Sequence, residues 1–564
     1  MSTILASLAG ALLLQGAHPV DYAISISETD TDSRVMIRVD FAGEADGETL
    51  LHLPSEWGGE GELWNLVRDL QVTGGDMEAG ETPDQMIVHH APGAPLQLVY
   101  RIEPDRPGEP SAEAGDYYRP YVEPGYVHLI GNTVFIAPDM DADTPVTVQI
   151  HAPDGWTLAS DLEHGGLTRD ALMESVLVAG DFRISEVAVA GAPVRLAIRG
   201  ETGIEDAAMM RALGDVVAAN HAYWATQSEP YLVTVLPLSA PEGWMSVGGT
   251  NLGDAFAFFT TANATPDILT RILMHEHVHS WNPRLLGGSI TGAEEPAGYW
   301  FSEGFTDFLT QRAAVRAGVW PAEAAIEAWN ETFAEYGASP VREAPNADII
   351  NGFWTRADYQ RLPYLRGMMF AGLVDHHVRT ETDGAFDLDD VLLAMRTRDA
   401  DRPAPLHFAE AVRQVTGLDI SALMTRHIEQ GEPITLETDT FGACGPVVTR
   451  DEPVFVYGME GARNEAGEFV IVTVDPDGPA APAGFEPGMV VEQRLGGAVG
   501  DALVESVLRV RTPQGETLTL SYWPTNGTSQ SVTRIDSTAA GHDATACTAR
   551  LAGTDAGAPP SPMP

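Results

Sequence analysis

The sequence contains no lysine. All 32 basic residues are arginines, set against 81 acidic residues among 564, for a formal charge of -49. A phosphate backbone needs clustered cations, so this balance excludes a protein built around nucleic acid. A strongly acidic surface also suits a salty medium, where its self-repulsion is screened. Cysteine is nearly missing: only Cys444 and Cys547 occur, and neither belongs to a Cys-x-x-Cys pair. That excludes zinc-ribbon and thioredoxin readings. Long apolar runs are missing too. The run near the start, Ile4 to Leu14, is shorter than the ~18 residues that span a bilayer, and no later run reaches that length. Followed by Gln15-Gly16-Ala17, it reads as the apolar core of a secretory signal over 1–17, although Met1-Ser2-Thr3 lacks the usual basic residue. The expectation is an exported protein, periplasmic or extracellular, with no transmembrane segment in the mature chain.

What is present points to a large globular protein. Hydrophobic residues make up 44% and charged residues 20%, ordinary values for a chain with a sizeable core. The length suits about three or four domains. Arg34 to Phe41, Leu96 to Ile102 and Pro193 to Arg199 alternate polar and apolar residues between Gly, Pro and Asp breakers. That is the pattern of half-buried antiparallel strands, and it predicts a β domain over 18–200. From Glu205 the period turns helical, with further segments at Pro321 to Tyr336 and Leu365 to Arg379, predicting a mostly helical domain over 201–435. Short strands return over 440–550. A Gly/Pro/Ala-rich tail over 551–564 is expected to be disordered.

The helical region contains His275-Glu276-His277-Val278-His279. On a helix, residues four apart share a face, so His275 and His279 can offer ring nitrogens to one ion while Glu276 reaches a water beside it. The flanks support that helix. Thr265 can cap it, Pro266 fits its first position, Asp267 suits the positive end of its dipole, and Pro283 ends it. A catalytic zinc site takes three protein ligands and leaves one position for water. Glu303, within Trp300-Phe301-Ser302-Glu303-Gly304-Phe305-Thr306-Asp307, lies far enough downstream for a second helix to pack alongside and supply the third. Asp307, one turn on, is the candidate carboxylate to accept the second N–H of a ligating histidine. His277 lies off the ligand face and reads as a core histidine, and the pairs His376-His377 and His89-His90 read as structural.

His275-Glu276-x-x-His279-x-Trp281-Asn282 followed by Trp300-x-Ser302-Glu303-Gly304-Phe305-Thr306-Asp307 resembles the glycyl aminopeptidase family of gluzincin metallopeptidases. Weaker likenesses lie in Tyr126 to Ile136, which resembles a strand pair of the family's N-terminal domain, in the Pro153 to Trp156 turn, and in Tyr364-Leu365-Arg366-Gly367. The resemblance implies a multidomain α+β protein: an N-terminal antiparallel β domain, a thermolysin-like catalytic domain and a C-terminal PDZ domain. It implies one zinc ion held by His275, His279 and Glu303, with Glu276 as general base and Tyr364 stabilising the oxyanion. Family members carry a Gly-Gly-Leu-Glu-His-like segment on the strand that lines the cleft. The matching Ser246 to Leu252 keeps Gly248 and Gly249 as substrate-binding candidates but lacks the Glu-His pair, leaving Asp254 as a substitute acid. Ala255 to Phe259 is expected to be the edge strand against which a peptide lies.

Phe469 to Val474, then the Gly478-Pro479-Ala480-Ala481 stretch and Pro487-Gly488, resembles the strand–turn–helix–strand core of a bacterial PDZ domain, which would take a peptide ligand. Cys444 and Cys547 bracket that domain. Its first and last strands tend to lie close, so the resemblance and an oxidising compartment together imply a disulfide. The function expected is a zinc metallopeptidase, an aminopeptidase or short-peptide hydrolase. The alternatives are an endopeptidase of the same fold and a non-catalytic zinc or PDZ-type peptide-binding protein.

Overall fold

The computed structural model describes residues 20–555 except 30–31, 114–116, 164, 242, 397–401, 465–467, 499 and 540. The expected signal over 1–17 and the tail beyond 555 lie outside the described residues.

In the first region two sheets share one core, with a third, of Thr157–Ser160, Val176–Gly180, Tyr126–Ile130 and Tyr121–Glu123, beside them. Of the two, one runs Val146–His151, Val20–Thr29, Asp32–Ala42, Pro95–Ile102 and Val67–Thr73, and the other Ala137–Pro138, Glu48–His52, Gln85–His90 and Gly75–Ala79. Alternation decides which faces meet. Val35, Ile37, Val39 and Phe41 are buried, and Met36 between them is turned to solvent. The sheet is not wholly antiparallel, because Val20–Thr29 pairs in parallel with Val146–His151. The long connection between those strands permits the parallel return. Tyr126–Ile130 is a strand, but a helical turn at Gly131–Val134 separates it from Ala137–Pro138, so no simple strand pair fills 126–136.

A five-stranded sheet then runs Arg183–Val189, Ala192–Ile198, Tyr231–Pro237, Ala255–Thr260 and Val247–Leu252. The boundary expected near 200 falls inside this sheet, because Val194 to Ile198 pairs with Tyr231 to Val235 and its buried side chains join the core of the helical region. Ala255–Thr260 is an inner strand, contrary to expectation. Phe256 and Phe258 pack into the helical core, and Ala255, Ala257 and Phe259 into the cluster on the opposite face. A strand apolar on both faces is stable only between neighbours. The edge beside it is Val247–Leu252, whose polar and glycine residues leave little apolar surface to cover.

Helices Asp206–Trp224, Pro266–Val278, Gly304–Arg316, Ala322–Ala338 and Ala357–Glu381 pack around one core on the helical side of this sheet. The C-terminal part has two pieces. Val447–Pro453 pairs with Ser529–Ile535, and Val447 and Ile535 pack on the helical core. A five-stranded antiparallel sheet, from Met459–Arg463 to Thr517–Tyr522, has its own small core around Ile471, Leu508 and Val510. Turns fill 475–489 where a helix was expected, because Pro476, Pro479, Pro482 and Gly484 interrupt it.

Cys444 and Cys547 form a disulfide with Cα atoms 4.4 Å apart, closing a span of 103 residues. It clips helix Ala544–Leu551 beside a buried ion network. Arg312 donates to Asp375 (3.0 Å) and Asp389 (2.8 Å), and Arg316 also reaches Asp389. Arg379 donates to Asp375 (3.0 Å), Asp387 (2.7 Å) and Asp555 (2.8 Å). The region past 551 is therefore ordered at least to Asp555, against expectation, because its carboxylate and the carbonyls of Ala552 and Gly553 serve these arginines. Removing one member of a buried ion set leaves the other uncompensated. Asp375→Ala is expected to cost about 3–5 kcal/mol, read from reversible denaturant unfolding, and a loss below about 1 kcal/mol would contradict the network's role.

Candidate metal centre and active site

The helix Pro266–Val278 starts as its sequence dictates. Thr265 Oγ1 accepts from the Ile268 N–H and Pro266 takes the first turn. Leu269, Leu273, Met274, His277 and Val278 face the core, which leaves His275, Glu276 and His279 toward the cleft. His277 is buried, ring to ring with Tyr231 at 4.6 Å, and Asn220 Nδ2 lies 3.1 Å from its Nδ1. Burial pushes its pKa down to about 3, so it is a neutral core residue, as expected. His376 faces Asp439 at 3.5 Å, His89 lies between Glu78 and Glu48, and His90 meets the Thr49 hydroxyl at 2.8 Å, all apart from the cleft.

Glu303 is carried to the motif helix by two close fits. Asn282, fully buried, donates to the Phe301 carbonyl (3.1 Å) and the Thr306 hydroxyl (2.9 Å), tying the chain after His279 to the helical turn before Glu303. A Cβ on Gly304 would fall 2.3 Å from the Gly367 Cα, and one on Gly367 would fall 1.8 Å from the Trp300 carbonyl oxygen. Only glycine at both positions lets the helix of Asp307 touch the helix of Tyr364. The contact sets Tyr364 one turn from Gly367, with its ring 6.1 Å from that of His275.

His275, His279 and Glu303 bring one ligand atom each into a single cluster. His275 Nε2 lies 3.3 Å from Glu303 Oε2 and 3.3 Å from His279 Nε2, and His279 Nε2 lies 3.4 Å from Glu303 Oε2. A tetrahedral ion held at about 2.0–2.1 Å keeps its ligand atoms about 3.3–3.4 Å apart, so the donor set fits zinc. The outer nitrogens agree. His275 Nδ1 faces Asp307 Oδ1 at 3.0 Å and His279 Nδ1 faces the Asn282 carbonyl at 2.9 Å. Each acceptor holds the proton on Nδ1 and turns the Nε2 lone pair inward. Burial opposes charge on His275, but Asp307 and Glu303 outweigh it and raise its pKa, so a cation binding at Nε2 must displace a proton. Three half-buried carboxylates facing two imidazoles call for positive charge, which a divalent cation supplies.

Burial raises the pKa of Glu276, and His275 and His279 pull against that rise. Burial, then the charges of Glu303 and Glu276, pushes the Tyr364 phenol well above its ordinary range, so it keeps its proton and can donate. Gly248 and Gly249 lie on the edge strand. A Cβ on Gly249 would fall 2.3 Å from the Phe256 ring. Asp254 sits exposed at the hairpin turn and faces Arg284 at 3.8 Å, outside the metal cluster. Neither Asn282, beyond its place in the Trp281-Asn282 of the motif, nor Tyr117 and Tyr118 carries a local sequence signal for its contacts. Tyr118 donates to the Gly249 carbonyl at 2.7 Å from a loop remote in sequence, and nothing local signals that contact.

Asp307→Ala is expected to weaken zinc binding about 10–100-fold in a chelator competition, and unchanged affinity would refute its orienting role. His279→Ala removes a ligand and should leave no stoichiometric zinc.

Residues 269–349 match the family model described as M61 glycyl aminopeptidase. No curated protein matches the chain. Among solved structures, an aminopeptidase N family protein from Idiomarina loihiensis aligns with a TM-score of 0.65 at 15% identity, covering 94% of this chain and 100% of that one. An M1 zinc metallopeptidase from Deinococcus radiodurans aligns with a TM-score of 0.46 at 17% identity, covering 71% of this chain and 90% of that one. The segment that builds the metal cluster is thus similar to the M61 glycyl aminopeptidase family, within a chain whose fold resembles that of the Idiomarina protein.

Proposed function

We propose that the protein is a zinc-dependent peptidase that hydrolyses short peptides, with one ion held by His275, His279 and Glu303. The observation that carries this reading is the convergence of two inward Nε2 atoms and a carboxylate beside Glu276. Zinc bound there would polarise the scissile carbonyl and lower the pKa of a water toward about 7. Glu276 takes the proton of the attacking water and hands it to the leaving amine. The Tyr364 hydroxyl donates to the carbonyl oxygen as it gains negative charge. Asp307 and the Asn282 carbonyl keep both imidazoles in the ligating tautomer.

The edge strand Val247–Leu252 contains no carboxylate. A substrate ammonium needs one to offset its desolvation, so this feature favours tolerance of blocked N-termini and supports an endopeptidase as the second reading. The five-stranded antiparallel sheet of the C-terminal part, with its own core, supports a PDZ-like domain that takes a peptide by strand addition. The Cys444–Cys547 disulfide supports export to an oxidising compartment, periplasmic or extracellular.

Glu276→Gln should abolish peptide hydrolysis while zinc stays bound at one equivalent. Residual hydrolysis near the parent rate would exclude Glu276 as base, and a parent chain that holds zinc but cleaves no peptide would favour a binding protein. A free and an N-acetylated peptide of the same sequence should be cleaved with kcat/KM values within about tenfold of each other. A strict need for the free amine would refute the reading drawn from the missing acid.

A further inference from the structure

Among the described residues, no strand pairs with the outer side of Val247–Leu252, the edge that lies against the helix of Glu276, and a peptide added there would use its backbone donors and acceptors. One of those acceptors is already engaged. The Tyr118 hydroxyl donates to the Gly249 carbonyl at 2.7 Å. Its neighbour Tyr117 covers Gly248, where a Cβ would fall 3.0 Å from the Tyr117 ring, and stacks on Phe259 of the next strand at 5.7 Å. Both tyrosines come from the N-terminal β region, far from the edge strand in sequence.

Tyr118 is held as a rigid post. On one side its ring meets the segment at Gly58, where a Cβ would fall 2.4 Å from it. The next residue, Arg119, donates to Glu60 (2.7 Å), to the Gly61 carbonyl (3.0 Å) and to Asp105 (3.1 Å). The Trp57 and Glu60 backbones close that segment on itself with two bonds of 2.9 Å. The edge strand lies against the helix Pro266–Val278 that carries Glu276, so the post stands on the strand beside that helix.

We propose that Tyr118 is a specificity-determining end-stop, which occupies the Gly249 position of the peptide-binding edge and limits how many substrate residues can pair along it. The inference rests on the peptidase reading, since it assumes that a peptide lies on this edge. A peptide longer than the free stretch must break the Tyr118–Gly249 hydrogen bond and displace a ring wedged between two backbone segments. A short peptide need do neither. The N-terminal β region thereby takes part in substrate choice without touching the metal.

The test is binding, separated from turnover. Zinc-loaded full-length Glu276→Gln protein, alone and combined with Tyr118→Phe or Tyr118→Ala, is titrated calorimetrically with alanine peptides of two to six residues, each free or N-acetylated. Tyr118→Phe frees the carbonyl but keeps the ring, which guards against a variant that fails to fold. Zinc content and unfolding midpoint check each protein. In the Glu276→Gln background affinity should stop rising beyond the shortest peptides. Tyr118→Ala should let it rise by about fivefold to tenfold for each further backbone hydrogen bond formed, with Tyr118→Phe between the two. The same length dependence in all three proteins, or no peptide binding in any, would overturn the end-stop. Peptide binding that shows the expected length dependence, with no hydrolysis by the parent chain, would overturn the peptidase reading and leave the end-stop standing.

Discussion

The site depends on a contact between two glycines. Gly304 and Gly367 bring the helix that begins after Glu303 against the helix of Tyr364 so closely that a single Cβ on either side would collide with backbone. Packed interiors do not yield to such an intrusion without moving whole elements. Because that contact is fixed, Glu303, Asp307 and Tyr364 arrive together at the motif helix, and Asn282 locks the remaining degree of freedom from the other side. Ligand separations near 3.3 Å require that precision, since a shift of 1 Å would open the coordination shell.

The same helix that presents Asp307 near its start buries Arg312 further along and carries Arg316 in its last turn. Four arginines and four aspartates, drawn from the core helices and the C-terminal segment, pair with one another, and the five that are buried, Arg312, Arg379, Asp375, Asp387 and Asp389, could not stand there alone. The C-terminal helix is held in register by the Cys444–Cys547 bridge, and Asp555 beyond it completes the set. The helix Ala544–Leu551 is thus part of the helical region's core, although the five-stranded sheet before it folds around its own apolar cluster.

The cleft is shared between regions distant in sequence. The edge strand belongs to the sheet under the helical region, but the side chains that lie on it, Tyr117 and Tyr118, come from the N-terminal β region. The backbone at Gly59 also lies against Trp354 of the helical region. An edge strand with free backbone groups invites pairing. Here the N-terminal region covers part of it with aromatic rings and leaves the rest beside the helix of Glu276.

The sequence by itself determined the local features. The His-Glu-x-x-His spacing, the Thr265 cap and Pro266 set the motif helix, and alternation set the strand Asp32–Ala42, because these depend on neighbours within a turn or two. Glu303 and Asp307 were legible because a third ligand and its carboxylate support are demanded by the chemistry of a zinc site. The tertiary structure alone decided the rest. Ala255–Thr260 lies inside its sheet, since burial on both faces depends on what packs there. The strand pair at 183–198 joins the sheet under the helical region because pairing is a long-range choice. Turns replace a helix over 475–489, where prolines outweigh the resemblance. Tyr118 meets Gly249 across 131 residues of chain, a contact that no periodicity encodes, because only the packing of one region on another brings the two together.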